Sequence, residues 1–162
     1  MTRRSDSAKR ESFSKAPTRL EAVMTKKVVT LSARNSFEEA LAIMANHPFR
    51  HLLVADAEGQ LCGLLSDRDL LRALNRTSDW SRISVNELMT RDPVTVTLNT
   101  PLSAAVRRML SHRVNCLPVT DGVGRVQGIV TSTDLLRAFL KLQRRIERPG
   151  EKRPTRKRKG KS

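Results

Sequence analysis

Two short motifs place a hydroxyl and a carboxylate three residues apart at the start of an apolar helix: Ser66-x-x-Asp69 and Thr131-x-x-Asp134. An ionised carboxylate only accepts hydrogen bonds, so it can hold two neighbouring hydroxyl groups of one ligand. A hydroxyl at a helix start also lies beside backbone N–H groups that suit a phosphate. The same spacing is equally a capping box, which stabilises a helix by about 1 kcal/mol without any ligand. The two roles are compatible, and the motif alone does not separate them.

The two motifs belong to an internal repeat, because the chain matches itself at a constant offset of 65 residues. The clearest block is Asp69-Leu70-Leu71-Arg72-Ala73, which recurs as Asp134-Leu135-Leu136-Arg137-Ala138. Met24-Thr25 likewise recurs as Met89-Thr90. A long repeat with only two copies predicts a pseudo-two-fold pair rather than a solenoid.

The elements that must position the motifs have the same order, β-α-β-β-α, in each copy. Short β-branched strands are predicted at Val28–Leu31 and Val94–Thr97, each followed by helical spacing of apolar residues. The fold class is therefore α+β, with two β-α-β-β-α repeats packed as a pseudo-two-fold pair. One repeat cannot bury all its apolar surface alone, so the second copy is expected to cover it. Packing the two sheets together leaves two related clefts, and ligands tend to bind at such interfaces.

The charge of the chain is concentrated at its ends. Of the formal charge of +15, residues 1–20 contribute +4 and residues 141–162 contribute +9, which leaves +2 for residues 21–140. This distribution argues against a compact DNA-binding domain whose folded face supplies the basicity. The predicted organisation is a basic N-terminal tail (1–18), a first domain (19–75), a linker (76–82), a second domain with an extended last helix (83–146) and a basic C-terminal tail (147–162). Both tails are expected to be disordered.

Several classes of protein are disfavoured by what the sequence lacks. No run approaches the roughly 18 apolar residues of a membrane helix, and no apolar stretch follows Arg3 and Arg4 as in a secretory signal. Cys62 and Cys116 are far apart, which is typical of reduced thiols in a cytoplasmic protein. The histidines and cysteines show no metal-ligand spacing, and no nucleophile–base motif is present. We therefore expect a protein that is not an enzyme and does not contact a membrane.

A family resemblance emerges from the ordered set of segments that recurs at this spacing. Each copy resembles a cystathionine β-synthase (CBS) domain, and the pair resembles a Bateman module, over roughly residues 20–140. The segments that carry the resemblance are Val23-Met24-Thr25, Leu88-Met89-Thr90, Asn115-Cys116-Leu117-Pro118-Val119-Thr120-Asp121, and the two stretches Gly63–Leu70 and Gly128–Leu135.

The resemblance implies a ligand class and a set of site residues. It implies a regulatory module that binds AMP, ADP, ATP or S-adenosylmethionine in the clefts, has no obligatory cofactor and commonly forms a homodimer. In the family pattern the motif aspartates hold the ribose hydroxyls, the motif hydroxyls lie near ribose or phosphate, and the first strand of each copy lines the base pocket. The matching positions here are Asp69, Asp134, Ser66, Thr131, Val29, Thr30, Val94 and Thr95.

The two copies differ in ways that bear on ligand binding. The second has Pro93 and Pro118 where the first has Val28 and Leu53, so it is closer to the usual family pattern. The first instead offers Arg68 beside Asp69, and Arg50 beside His51. These arginines could meet a phosphate, or they could be solvated surface charges. One occupied cleft of two is expected, and the sequence does not say which.

Two functions from different classes remain open at this point. The first is an adenine-nucleotide sensor that signals through ligand-dependent association with a partner. The alternative is a nucleic-acid-associated protein in which the basic C-terminal tail binds nucleic acid or an acidic protein and the CBS pair is a dimerisation scaffold. The tail would bind by salt-dependent electrostatics.

Overall fold

The computed structural model describes residues 19–76 and 79–147. The predicted N-terminal tail, and the C-terminal tail beyond residue 147, lie outside the described residues. The chain divides into two compact units, of which one, Pro17–Leu136, holds both sheets. The residues from Arg137 onward belong to the second unit. No helix among the described residues is long and apolar enough to cross a membrane.

The predicted order of elements is present in both repeats. The first repeat contains β1 (Thr30–Leu31), α1 (Phe37–Ala45), β2 (His51–Ala55), β3 (Leu61–Ser66) and α2 (Asp67–Leu74). A short helix, α3 (Val85–Leu88), and strand β4 (Thr90–Arg91) follow a 3-10 turn at Trp80–Arg82, and another 3-10 turn, Leu20–Ala22, precedes β1. The second repeat continues with β5 (Val96–Thr97), α4 (Leu102–His112), β6 (Cys116–Thr120), β7 (Val126–Thr131) and α5 (Ser132–Glu147).

Capping chemistry explains where several helices begin. Ser36 accepts a hydrogen bond from the amide of Glu39, and the Glu39 carboxylate accepts one from the amide of Ser36, which fixes the start of α1. Ahead of α3, the Glu87 carboxylate accepts hydrogen bonds from the amide and the hydroxyl of Ser84 at 3.0 and 2.8 Å, and the Glu87 amide donates to the carbonyl of Ser84. Helix α4 begins after Pro101, which is its N-cap residue and makes no side-chain capping bond. The sequence therefore determines most helix starts locally.

The two sheets are built on the same pattern but exchange their first segments. The first sheet has the order β1-β2-β3-β4, and the second has the order β5-β6-β7. β1 is parallel to β2, and β5 is parallel to β6, while the β2–β3 and β6–β7 pairs are antiparallel. Strand β4, which precedes the second repeat, pairs with β3 of the first repeat. Reciprocally, Thr25, which precedes the first repeat, exchanges two hydrogen bonds of 2.9 and 3.0 Å with Ile129 of the second.

This exchange explains why β1 and β5 are shorter than predicted. Each covers two residues, whereas Val28–Leu31 and Val94–Thr97 were predicted as strands. The chain just before each strand is bonded to the sheet of the other repeat, so it must cross between sheets before parallel pairing can begin. Val29, Val94 and Thr95 consequently lie outside the strands.

The exchanged segments also contribute residues to the hydrophobic core of the other repeat. Val85 lies in the core of the first repeat, with Leu88 and Met89 packed against it. Leu20 and Met24 lie in the core of the second repeat. A core is therefore completed only when the segment that precedes the other repeat has folded onto it.

Hydrogen bonds between the two hairpin turns make the pseudo-two-fold relation explicit. The amide of Leu61 donates to the carbonyl of Gly124, and the amide of Val126 donates to the carbonyl of Gly59, both at 3.0 Å. Residues 59 and 61 are the 65-residue counterparts of 124 and 126. A cluster containing Leu53 and Ile129 joins side chains of both sheets.

Two strand glycines, Gly63 and Gly128, allow each exchanged segment to lie close to the sheet of the other repeat. A Cβ at Gly63 would lie 2.5 Å from Sδ of Met89 and 3.0 Å from the carbonyl oxygen of Thr90. A Cβ at Gly128 would overlap the carbonyl oxygen of Thr25 and lie 3.0 Å from Cε of Met24. The repeated glycine is therefore a requirement of close packing between backbones.

Candidate functional site

The Ser66–Asp69 motif forms a reciprocal clamp at the junction of β3 and α2. Oδ2 of Asp69 accepts hydrogen bonds from the hydroxyl of Ser66 at 2.6 Å and from its amide at 2.9 Å. The amide of Asp69 donates back to Oγ of Ser66 at 3.3 Å. Oδ1 of Asp69 faces Nη1 of Arg72 at 3.4 Å. The capping role is thus realised through one carboxylate oxygen.

The second motif has the same geometry at the junction of β7 and α5. Oδ2 of Asp134 accepts from the hydroxyl of Thr131 at 2.8 Å and from its amide at 2.9 Å, and the Asp134 amide donates to Oγ1 of Thr131 at 3.3 Å. Asp134 is buried, with 9% of its surface exposed. Both motifs are therefore capping boxes, which leaves their expected ribose role as a separate hypothesis.

A cleft of about 240 Å³ opens beside the first motif and is lined by both repeats. Ser66, Asp69, Arg50 and Arg68, four of the residues predicted from the sequence, come together here. The remaining lining residues are His51, Leu64, Asp67, Arg72, Thr90, Arg113, Val114, Asn115 and Cys116. The exchange of segments brings Thr90 to this position, since β4 pairs with β3.

The connection between α4 and β6 supplies the wall from the second repeat. Arg113 ends α4 in the left-handed conformation, with φ of 54°. Helices commonly end with glycine in this conformation, so an arginine here is unusual. The carbonyl of Asn115 accepts from the amide of Ser132, just as the carbonyl of Arg50 accepts from the amide of Asp67. The α4–β6 connection is thereby anchored to the start of α5.

The charges that line the cleft are mainly positive. Nε of Arg50 lies 3.6 Å from Oδ2 of Asp67, and Arg72 pairs with Asp69 as described. The arginine side chains in these two pairs remain largely exposed, so each ion pair contributes little to stability. Four arginines face two aspartates in the lining, which gives the cleft a formal charge of +2 with His51 neutral.

Two uncharged groups in the lining occupy equivalent positions in the repeats. Burial lowers the pKa of His51 below its ordinary value, although the nearby carboxylates of Asp67 and Asp69 act in the opposite direction. Burial raises the pKa of the Cys116 thiol to about 12. His51 and Cys116 are separated by 65 residues, so the pseudo-symmetry places two neutral side chains at this end of the cleft.

The other predicted site residues do not line this cleft. Thr30 is in β1, Val29 precedes it and is 40% exposed, and the carbonyl of Thr95 accepts a hydrogen bond from Arg108 at 2.6 Å. Val94 lies against the core of the second repeat. Thr131 and Asp134 are at the equivalent junction of the second repeat, as described above.

Sequence reasoning missed part of the lining. Asn115 and Cys116 are the 65-residue counterparts of Arg50 and His51, so applying the repeat to Arg50 and His51 would have identified them. No comparable signal exists for Arg113, whose counterpart is Pro48. Within 19–76 and 79–147, no three His, Cys, Asp or Glu side chains group as metal ligands.

Comparison with known proteins places the chain in a family. The CBS domain family model matches residues 20–76 and 85–141, so each match covers one β-α-β-β-α repeat together with the segment that precedes it. The chain therefore belongs to the CBS domain family, as a tandem pair of the Bateman type.

The similarity to solved structures extends over both CBS domains. The CBS domain pair of protein MJ0100, in complex with 5′-methylthioadenosine and S-adenosyl-L-methionine, is 30% identical with a TM-score of 0.70, and the match covers 76% of this chain and 97% of that one. CBSX2 of Arabidopsis thaliana, in complex with AMP, is 29% identical with a TM-score of 0.69, over 78% of this chain and 98% of that one.

The curated relatives are longer enzymes. The L-aspartate semialdehyde sulfurtransferase of Methanocaldococcus jannaschii is 31% identical over 117 residues, which is 72% of this chain and 22% of that protein. The chain spans about a fifth to a third of the curated relatives it matches, from 22% to 36%. The match to these enzymes thus concerns one region of each.

Proposed function

We propose that this CBS pair binds an adenosine ligand, namely AMP, ADP, ATP or S-adenosylmethionine, and acts as a non-catalytic regulatory module for a partner protein. The observation that carries the proposal is the Ser66–Asp69 clamp, which lines a cleft built from both repeats. The complexes of related pairs with AMP and with S-adenosyl-L-methionine support this ligand class.

The chemistry of the clamp fits a ribose. The capping bonds use Oδ2 of Asp69, and each carboxylate oxygen has more than one lone-pair direction. Two ribose hydroxyls can donate to Oδ1 if the exposed guanidinium of Arg72, 3.4 Å away, moves aside. The cap would meanwhile hold the carboxylate in place, so it pre-organises the site.

Because residues of both repeats line the cleft, ligand binding could be coupled to the binding of a partner. A ligand in the cleft touches α2 of the first repeat and the α4–β6 connection of the second, so binding stabilises the arrangement that holds them together. A partner that prefers this arrangement would associate more tightly when the ligand is bound.

Calorimetric titration of the full chain with AMP, ATP and S-adenosylmethionine tests the proposal. The decisive variant is Asp69→Asn, because its amide oxygen can still accept the capping bonds while the charge that holds hydroxyls is lost. We expect affinity to fall about tenfold, as for a lost charge-assisted hydrogen bond, with a small change in melting temperature.

A matched control is Glu39→Gln, which removes a capping carboxylate from a helix start that does not line the cleft. It should leave affinity unchanged. The proposal fails if none of the three ligands binds, and the role of Asp69 fails if Asp69→Asn binds as tightly as the wild type.

We further propose that the regulatory module is a homodimer. Leu136, Phe139 and Leu140 follow the i, i+3, i+4 spacing of one helix face on α5 and are 64%, 53% and 55% exposed. A second copy would cover such a face. Analytical ultracentrifugation should show a dimer that Leu140→Lys weakens, and a monomeric wild type would refute this.

The charge of the C-terminal segment supports a second candidate, nucleic-acid binding. Residues 141–162 carry a net charge of +9. A chain that ends at residue 147 should then lose salt-dependent binding to RNA or DNA while it retains the CBS pair. Binding that persists in the shortened chain would rule out the tail as its cause.

A further inference from the structure

The arginines of the cleft come from three separate places in the chain. Arg50 precedes β2, Arg68 and Arg72 are on α2, and Arg113 ends α4 of the second repeat. Two of these arginines pair with carboxylates of the first repeat, as given above. Arg68 and Arg113 are absent from the ion pairs found between described residues.

The backbone at the start of α2 is not available to an anion. The amide of Asp67 donates to the carbonyl of Arg50 at 3.0 Å, and the amide of Arg68 donates to Oδ1 of Asp67 at 2.8 Å. The amide of Asp69 already donates to Oγ of Ser66. The helix start therefore does not provide the phosphate-binding N–H groups that the sequence suggested, and any anion must be held by side chains.

The positions equivalent to the cleft lining carry two arginines where the cleft carries four. The counterparts of Arg50 and Arg68 are Asn115 and Thr133, and the counterpart of Arg113 is Pro48. Of the four arginines, only Arg72 has a basic counterpart, Arg137, while the lining residue Asn115 has Arg50 as its counterpart. The two repeats share the clamp but differ in the side chains around it.

From this difference we infer that the arginine-lined cleft is a phosphate-selective nucleotide site, which binds adenosine phosphates in preference to S-adenosylmethionine or 5′-methylthioadenosine. The inference rests on the proposed function and deepens it by naming the ligand class and the cleft. Guanidinium groups bind phosphate oxygens through charge-assisted, often bidentate hydrogen bonds. S-adenosylmethionine carries a sulfonium, an ammonium and a carboxylate group, so its net charge is positive and it would bring positive charge into a cleft that is already positive.

Arg113 is the position that links the phosphates to the second repeat. Its backbone is in the left-handed region, where glycine has no steric penalty. Arg113→Gly therefore removes the guanidinium without straining the backbone, and an unchanged melting temperature would separate a loss of affinity from a loss of stability. Arg68→Gln removes the second guanidinium from an exposed position on α2.

The test is calorimetric titration of the full chain with ATP, AMP, adenosine, S-adenosylmethionine and tripolyphosphate. ATP should bind at least about tenfold more tightly than adenosine or S-adenosylmethionine, as charge-assisted contacts require. Arg113→Gly and Arg68→Gln should each weaken ATP binding about fivefold, in the range of partly exposed ion pairs, and leave adenosine unchanged. Arg107→Gln, on α4 but outside the cleft lining, is the control and should bind ATP like the wild type.

The outcomes separate this inference from the function on which it rests. If adenosine and S-adenosylmethionine bind as tightly as ATP, the phosphate selectivity is wrong while the adenosine-sensor function stands. If tripolyphosphate binds as tightly as ATP, the cleft is a general anion site and the inference is overturned. If nothing containing adenosine binds, the proposed function itself has failed.

Discussion

The two helix starts that carry the Ser/Thr-x-x-Asp motif are nearly identical in geometry and different in surroundings. In both, one carboxylate oxygen accepts from the hydroxyl and the amide three residues before it, at 2.6 and 2.9 Å in the first repeat and 2.8 and 2.9 Å in the second. Only the first lies in the cleft that gathers four arginines. The repeat preserves what a helix start needs, whereas the side chains within and around the motif differ between the copies.

The segments that precede the repeats show a similar contrast. The first repeat gains a two-residue strand, β4, whereas the second gains a single bridge at Thr25. Both contacts depend on a strand glycine at the same position of the repeat. The two segments therefore make unequal sheet pairings, and substitutions at each side can measure what each pairing contributes to stability.

The largest expected effect is on stability, from the two glycines. Gly128→Ala should destabilise the protein by about 3 kcal/mol, because the new methyl group overlaps the carbonyl oxygen of Thr25 and because the φ of 155° at this position strains any residue with a side chain. Gly63→Ala should cost about 1–2 kcal/mol, because its closest neighbour is the flexible side chain of Met89. Urea denaturation measures both.

Gly122→Ala is the control for these variants, since a Cβ there would have no atom within 4 Å. It should change stability very little. Equal losses of stability for Gly63→Ala and Gly128→Ala would contradict the view that Gly128 is the more tightly constrained of the two glycines.

The next effect concerns ligand affinity. Asp69→Asn should weaken ATP binding about tenfold, whereas Asp134→Asn should weaken it much less, because Asp134 does not line the arginine cleft. Calorimetry of the two variants measures the ratio. A larger loss for Asp134→Asn would move the nucleotide site to the second repeat.

Removal of the capping hydroxyls should affect both repeats alike. Ser66→Ala and Thr131→Ala should each cost about 1 kcal/mol, since both remove an N-cap acceptor. Thermal or urea unfolding is the measurement. If only one of the two variants lost stability, the same capping hydrogen bonds would stabilise the two helix starts unequally.

The smallest expected effect is the pH dependence that arises from His51. Its pKa is lower in the folded protein than the ordinary 6.5, so the unfolded chain binds a proton that the folded chain does not. Stability should therefore fall as pH decreases through about 6.5, and the loss should be complete below the folded pKa. His51→Gln should reduce the difference in unfolding free energy between about pH 7.5 and about pH 5.5. An unchanged difference would mean that His51 is not the titrating group.

Much of the secondary structure was predictable because its causes are local. The helix start at Asp67 was predictable, since the Ser66-x-x-Asp69 capping box directly precedes an apolar helix face. The 65-residue offset predicted two copies of one fold, and the family match and related structures confirm this. The lengths of β1 and β5 were not predictable, because they depend on where Thr25 and Thr90 pair on the other repeat.

The candidate site was predictable only in part. Ser66, Asp69, Arg50 and Arg68 were identified from their own repeat, and they do line one cleft. Arg113 could not be identified, because its place in the cleft lining depends on how the α4–β6 connection packs in the tertiary structure. The sequence also did not show that the backbone amides at the start of α2 already donate to Arg50, Asp67 and Ser66, because those hydrogen bonds depend on atomic distances.

By itself, the sequence determined the repeat, the order of its elements and the capping boxes, because these depend on residues a few positions apart and on one constant offset. Only the tertiary structure decided that each core is completed by the segment preceding the other repeat. It likewise decided that arginines from both repeats surround the first clamp. Contacts between residues far apart in the chain arise from packing and backbone approach, which no local pattern specifies.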